Sequence, residues 1–135
     1  MKHQINKRKL NVTPSHRKAL LRNQVIHLIT YGSLTTTRAR AKEVQRLAEK
    51  IVTKAKVGNT FNARRAVKAL LPYKEEAILK LFHKIAPLFV DRAGGYTRLI
   101  PLGKRISDTA TIAKLEWVEY PQEQSASTHA QQPAA

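Results

Sequence analysis

The sequence contains no cysteine, which excludes disulfides, thiolate nucleophiles and cysteine-ligated zinc or iron–sulfur centres. No apolar run approaches the roughly 18 residues a bilayer-spanning helix needs. Five histidines, His3, His16, His27, His83 and His129, offer no i, i+4 pair and no His-Glu-x-x-His, so neither a metal nor another cofactor is expected. Met1 to Leu10 lacks the apolar core of a secretory signal, and a cytoplasmic protein is expected. The most consequential absence is of negative charge: no carboxylate precedes Glu43.

Against that absence stand ten lysines and arginines in the first 42 residues: Lys2, Lys7, Arg8, Lys9, Arg17, Lys18, Arg22, Arg38, Arg40 and Lys42. A surface that only needs solubility mixes both signs, so a one-sided run implies a polyanionic partner, and nucleic acid is the natural candidate. The whole chain carries a net charge of +16. Its far end differs, because after Ile106 Lys114 is the only lysine or arginine, opposed by Asp108, Glu116, Glu119 and Glu123.

With 135 residues, 42% of them hydrophobic, one domain with one modest core is expected. Residues 1–12 carry few apolar anchors and read as a basic arm, flexible when free and ordered when bound. Thr13-Pro14 suits an N-cap followed by proline at N1, and a helix is predicted to about Thr30, with Gly32 as its stop. Leu21, Val25, Leu28 and Ile29 line its buried stripe, and Lys18 and Arg22 sit one turn apart on another face. The β-branched run Ser33 to Thr37 reads as a strand or extended link.

Residues from about Arg38 to Lys56 carry the clearest amphipathic pattern, through Val44, Leu47, Ala48, Ile51, Val52 and Ala55. A third helix is predicted from Thr60 or Asn62 to Leu71, ahead of Pro72, and a fourth from about Lys74 until Pro87 ends or kinks it. Tyr96 to Leu102 and Ala110 to Glu119 are predicted strands flanking a turn-rich loop over 103–109. The predicted fold is α+β: four helices packed with a small, mainly antiparallel sheet over residues 13–120. A tail over 121–135, free of aromatics, is predicted to be disordered.

Four groups of residues could carry binding. Lys7, Arg8 and Lys9 lie on the arm, and Ser15, His16, Arg17 and Lys18 open a helix whose first N–H groups and cations suit phosphate oxygens. Arg38, Arg40, Lys42 and Arg46 crowd the start of the second helix, where cations oppose the macrodipole and so point to another use. The segment Asp91-Arg92-Ala93-Gly94-Gly95-Tyr96-Thr97-Arg98 pairs two glycines with guanidinium groups and an aromatic ring. That last motif reads either as a ligand-approaching loop or as a helix-to-strand turn whose glycines serve geometry alone. Arg64, Arg65 and Lys68 form a further cluster, equally readable as a solvated face. Tyr31, Phe61, Tyr73 and Trp117 read as core or boundary residues. His16 has no nearby carboxylate to orient it as a base, so binding rather than catalysis is expected of it.

The run from Asp91 to Leu99, continued by Gly103, Arg105, Asp108, Ala110, Ala113 and Glu116, resembles bacterial large-subunit ribosomal protein seventeen. Arg8-Lys9-Leu10-Asn11, Ser15 to Lys18, Arg22-Asn23, Thr36-Thr37 and Ala41-Lys42-Glu43 follow the same family's order, so the resemblance spans residues 1 to about 120. It implies a non-catalytic constituent of the large ribosomal subunit, bound to large-subunit rRNA and neighbouring ribosomal proteins near the nascent-chain exit region. By matching position, RNA contacts are expected at Arg8, Lys9, Ser15, His16, Arg17, Lys18, Arg22, Asn23, Arg92, Gly94, Gly95, Tyr96, Thr97 and Arg98. Charge adds Lys2, Lys7, Arg38 and Lys42. A free nucleoid or regulatory protein is the competing class; no membrane or small-molecule substrate is expected.

Overall fold

A computed structural model describes residues 7–121, so Lys2, most of the expected tail and the first half of the arm lie outside the described residues. Helix α1, Pro14–Tyr31, starts with proline at N1, though the Thr13 side chain makes no capping bond. Gly32 ends it in the left-handed region at φ 82°, donating its N–H to the Leu28 carbonyl. The orphan carbonyls that follow find partners elsewhere in the chain. The Trp117 indole also donates to Leu28 at 3.0 Å, Tyr120 Oη donates to Ile29 and Thr30, and Lys80 Nζ donates to Thr30 at 2.9 Å. The end of α1 is thereby fastened to the C-terminal strand.

Strand β1, Ser33–Thr37, runs directly into helix α2, Arg38–Ala55, which buries Val44, Ala48, Ile51 and Val52 on the face its sequence period marks. Helix α3, Phe61–Leu70, is capped by Thr60, whose Oγ1 accepts the Ala63 N–H, and Pro72 follows its end. Helix α4, Glu75–Lys80, is shorter than its pattern predicts. It widens into a π-turn over Leu81–Ile85 and then tightens to a 3₁₀ turn over Ala86–Phe89. Pro87 has no N–H to continue an α ladder, and the change of pitch keeps Leu81, Phe82, Ile85 and Phe89 all buried.

Strands β2, Thr97–Lys104, and β3, Thr111–Trp117, complete a three-stranded antiparallel sheet in the order β1-β3-β2. Leu34, Leu115 and Leu99 pair across it in one row on the core face, with Ala113 and Trp117 beside them. β2 starts one residue later and runs two residues further than predicted, because a bulge between Pro101 and Gly103 lets pairing resume at Gly103 and Lys104. The bulge falls on an edge strand, where a proline lacking an N–H is tolerated. The four helices and small sheet make the chain α+β, as its sequence predicts.

Two aromatic expectations fail. Tyr31 is 69% exposed and Phe61 79% exposed, because each stands at a helix end on the face turned away from the core. Trp117 is buried as expected, and Tyr73 is half exposed.

Candidate nucleic-acid interface

The outer side of α2 carries Arg38, Lys42, Arg46, Lys50 and Lys54 at a constant four-residue spacing. That spacing sets successive side chains one turn apart, so the five cations form a stripe along the helix. Four like-charge i, i+4 pairs cost the isolated helix about 0.2–0.5 kcal/mol each, a penalty a free protein has no reason to carry. Among the described residues, Arg38, Lys42, Lys50 and Lys54 have no ion-pair partner.

Grooves run on both sides of this stripe. One, of about 560 Å³, brings Lys7 of the arm and Lys18 and Arg22 of α1 against Arg46 and Lys50. Two shallower ones bring Arg8 beside Arg38 and Lys42, and beside Gln45 and Arg46. The arm, α1 and α2 therefore share one cationic surface.

Two carboxylates shape that surface. Glu43 is buried to 5% exposure and accepts from Arg8 at 3.2 Å, with Arg46 at 4.0 Å. Arg17 donates to the Lys9 carbonyl at 2.8 Å, and Leu10 and Asn11 take left-handed conformations at φ 58° and 52°. From residue 7 onward the arm lies against the body through Arg8 and Arg17, along a path that its sequence, read as an arm flexible when free and ordered when bound, does not specify. Its few apolar residues did not reveal the two arginine contacts that hold it.

Glu49, one turn beyond Gln45, fixes the Gly94-Gly95 turn. Its carboxylate accepts from the Gly95 N–H at 3.1 Å, the Thr97 N–H at 3.0 Å and Thr97 Oγ1 at 2.8 Å. Gln45 adds a bond to the Thr97 carbonyl, and Lys56 Nζ one to the Arg92 carbonyl. Gly95 takes φ 65°, the conformation its sequence position suggests.

This arrangement turns two of the expected residues inward. Tyr96 is 1% exposed, its ring packed 5.2 Å from Phe89 and its hydroxyl near Thr53 and Lys56, so it presents no face for stacking. Thr97 is 5% exposed, with its side chain committed to Glu49. Both residues build the turn, and what the turn exposes is Arg92, Gly94, Gly95 and Arg98. Arg92 donates to the Gly94 carbonyl at 3.2 Å. Arg98 is paired with Glu116 at 2.6 Å. Glu116 also accepts from Lys114, and these two bonds, Lys114 first, hold its carboxyl below the usual range.

The remaining expected residues fall on α1. Ser15, His16, Lys18 and Asn23 are exposed on its surface. Arg22 donates to the carbonyls of Leu70 and Ala69 at 2.9 and 3.3 Å, so it braces α1 against α3 while lining the groove. Sequence reasoning missed Lys50 and Lys54, which the four-residue period from Arg38 could have disclosed. It also missed Glu43 and Glu49, which look in sequence like ordinary acids of an exposed face. Among the described residues no cluster of three His, Asp or Glu is placed to hold a metal.

A family model described as ribosomal protein L17 matches residues 20–118 of the chain. Among curated proteins, a large ribosomal subunit protein bL17 of Borrelia turicatae is 44% identical over 119 residues, covering 88% of this chain and 94% of that protein. One from Akkermansia muciniphila is 42% identical over 123 residues, covering 91% and 89%. Another from Trichlorobacter lovleyi is 43% identical over 119 residues, covering 88% and 94%.

Proposed function

Since the chain belongs to the ribosomal protein L17 family, a structural and non-enzymatic constituent of the bacterial large ribosomal subunit, we propose that it binds large-subunit rRNA through one cationic face. That face joins the arm at Lys7 to Lys9, the start of α1 at Ser15 to Lys18, Arg22 and Asn23, and the α2 stripe; the exposed part of the Arg92 to Arg98 turn extends it. The observation that carries this reading is the stripe from Arg38 to Lys54, in which, among the described residues, Arg46 alone has an ion-pair partner. Its chemistry is neutralisation. Packed RNA helices repel through their phosphates, and a fixed row of lysines and arginines between them removes that cost.

Recognition runs through phosphates and shape, because the deep major groove of A-form RNA hides base edges from side chains. Residues 13–120 act as the globular body that sets the cations in place, and the family resemblance supports a position for this body near the nascent-chain exit region, beside other ribosomal proteins. Filter binding to large-subunit rRNA fragments tests the reading. With about six to ten phosphates engaged, affinity falls roughly 10³- to 10⁵-fold between 50 and 200 mM salt. Equal affinity for duplex DNA contradicts it and favours a free nucleic-acid-binding protein, and a flat salt dependence contradicts phosphate contact altogether.

A further inference from the structure

A second basic patch lies on α3, and none of its residues lines the grooves beside the α2 stripe. Asn59, Phe61, Arg64, Arg65 and Lys68 surround an open groove of about 580 Å³. Phe61 is the first residue of the helix and 79% exposed, a ring left in water at a cost its neighbours do not relieve. A single exposed aromatic means little. Here it stands one turn before Arg65 and two before Lys68, so ring and cations occupy one side of the helix. Glu75 is shared by Arg64 at 3.2 Å and Lys68 at 2.9 Å, which leaves the patch cationic, and Arg65 has no ion-pair partner among the described residues.

We propose that this patch binds a single-stranded RNA segment, with one unstacked base on the Phe61 ring and the adjoining phosphates on Arg65 and Lys68. An aromatic ring beside guanidinium and ammonium groups is the combination that holds unpaired nucleotides, since every base has a π-face and every nucleotide a phosphate. Duplex RNA keeps its bases stacked inside and cannot use the ring. The protein then grips two kinds of RNA at once, helical backbone along α2 and an unpaired loop or bulge at α3. This inference rests on RNA being the partner, and adds the second site and its single-stranded specificity.

The test compares fluorescence anisotropy of a labelled eight-nucleotide oligoadenylate with that of a labelled 16-base-pair RNA duplex, using the full chain. Phe61→Ala and Phe61→Leu weaken oligoadenylate binding about tenfold and leave duplex binding within about twofold. Arg65→Ala weakens oligoadenylate binding and flattens its salt dependence, and Lys42→Ala weakens the duplex instead. Phe61 is exposed, so circular dichroism of these variants matches the parent. Oligoadenylate affinity unchanged by Phe61→Ala overturns the inference, as does binding of the duplex alone. Photo-crosslinking from p-benzoylphenylalanine at position 61 in assembled subunits gives an RNA adduct; a protein adduct instead makes the patch a protein-docking site and overturns it too. Loss of duplex binding in no α2 variant is a separate failure, of the α2 interface.

Discussion

Glu49 on α2 holds Thr97 at both ends, accepting its backbone N–H at 3.0 Å and its hydroxyl at 2.8 Å. Through that one carboxylate the cationic helix and the Gly94-Gly95 turn are set in a fixed relation. Replacing Glu49 by alanine leaves a part-buried N–H and hydroxyl without their acceptor, and destabilises the fold by about 1–3 kcal/mol. Urea unfolding measures this. Glu49→Gln keeps one amide oxygen and loses less, and equal losses in the two variants would contradict the clamp.

Lys42 lies between Arg38 and Arg46 on the stripe, so its removal acts in opposite directions on stability and binding. Lys42→Gln relieves two like-charge pairs and raises the stability of the free protein by about 0.4–1 kcal/mol. The same change lowers the steepness of log K against log salt by about 0.7–0.9, the loss of one phosphate contact. Thermal unfolding and salt-titrated RNA binding read the two effects. A variant that loses stability together with affinity would place Lys42 in the fold and not in the interface.

Glu43 has an indirect role in the interface. Glu43→Ala frees Arg8 from its 3.2 Å contact, and residues 7–12 then exchange their amide hydrogens faster than in the parent. Net positive charge rises, yet RNA affinity falls, since a loosened arm must be ordered again on binding. Hydrogen exchange by mass spectrometry checks the first effect. Unchanged protection over 7–12 would show that Arg17 alone holds the arm.

Gly32 is confined twice. A Cβ there meets the Tyr120 ring at 2.8 Å, and φ of 82° is poor ground for any L side chain. Gly32→Ala costs about 2–5 kcal/mol, the sum of a left-handed residue and an overpacked ring. Tyr120→Phe, which only removes the hydroxyl bonded to Ile29 and Thr30, costs about 1 kcal/mol. Denaturant midpoints measure both, and a loss in Gly32→Ala no larger than that in Tyr120→Phe would contradict the close approach.

The turn between β2 and β3 responds to acid. Hydrogen bonds from Arg105 and from the Ala110 N–H lower the Asp108 carboxyl from 3.8 to about 2. A carboxyl depressed in the folded state stabilises fully above its unfolded value and loses that contribution as pH falls through the folded one. The turn therefore stays formed down to about pH 4 and loosens between there and pH 2. NMR titration of the Ala110 amide follows it, and Asp108→Asn abolishes the transition.

The helices were legible because their buried stripes keep a 3.6-residue period, Val44 to Ala55 most clearly. Gly32 announced its own left-handed stop. The path of the arm was hidden, because Arg8 and Arg17 act through a buried acid 35 residues away and through a backbone carbonyl, and no periodicity encodes either. The burial of Tyr96 was hidden for a related reason. In sequence it stands among cations and glycines, but strand entry turns it inward onto Phe89. The break of α4 into wider and tighter turns followed from the packing of Leu81 to Phe89, which sequence period alone does not resolve.

The central claim is that the α2 stripe is the main rRNA contact of a large-subunit protein. Sucrose-gradient sedimentation of tagged chains with large subunits at moderate salt tests it most directly, comparing the parent with a Lys42→Ala, Arg46→Ala, Lys50→Ala triple variant. The parent cosediments with the large subunit, and the triple variant, folded by circular dichroism, moves to the top of the gradient as salt rises. Retention of the triple variant at the parent's level through the same salt range would contradict the account.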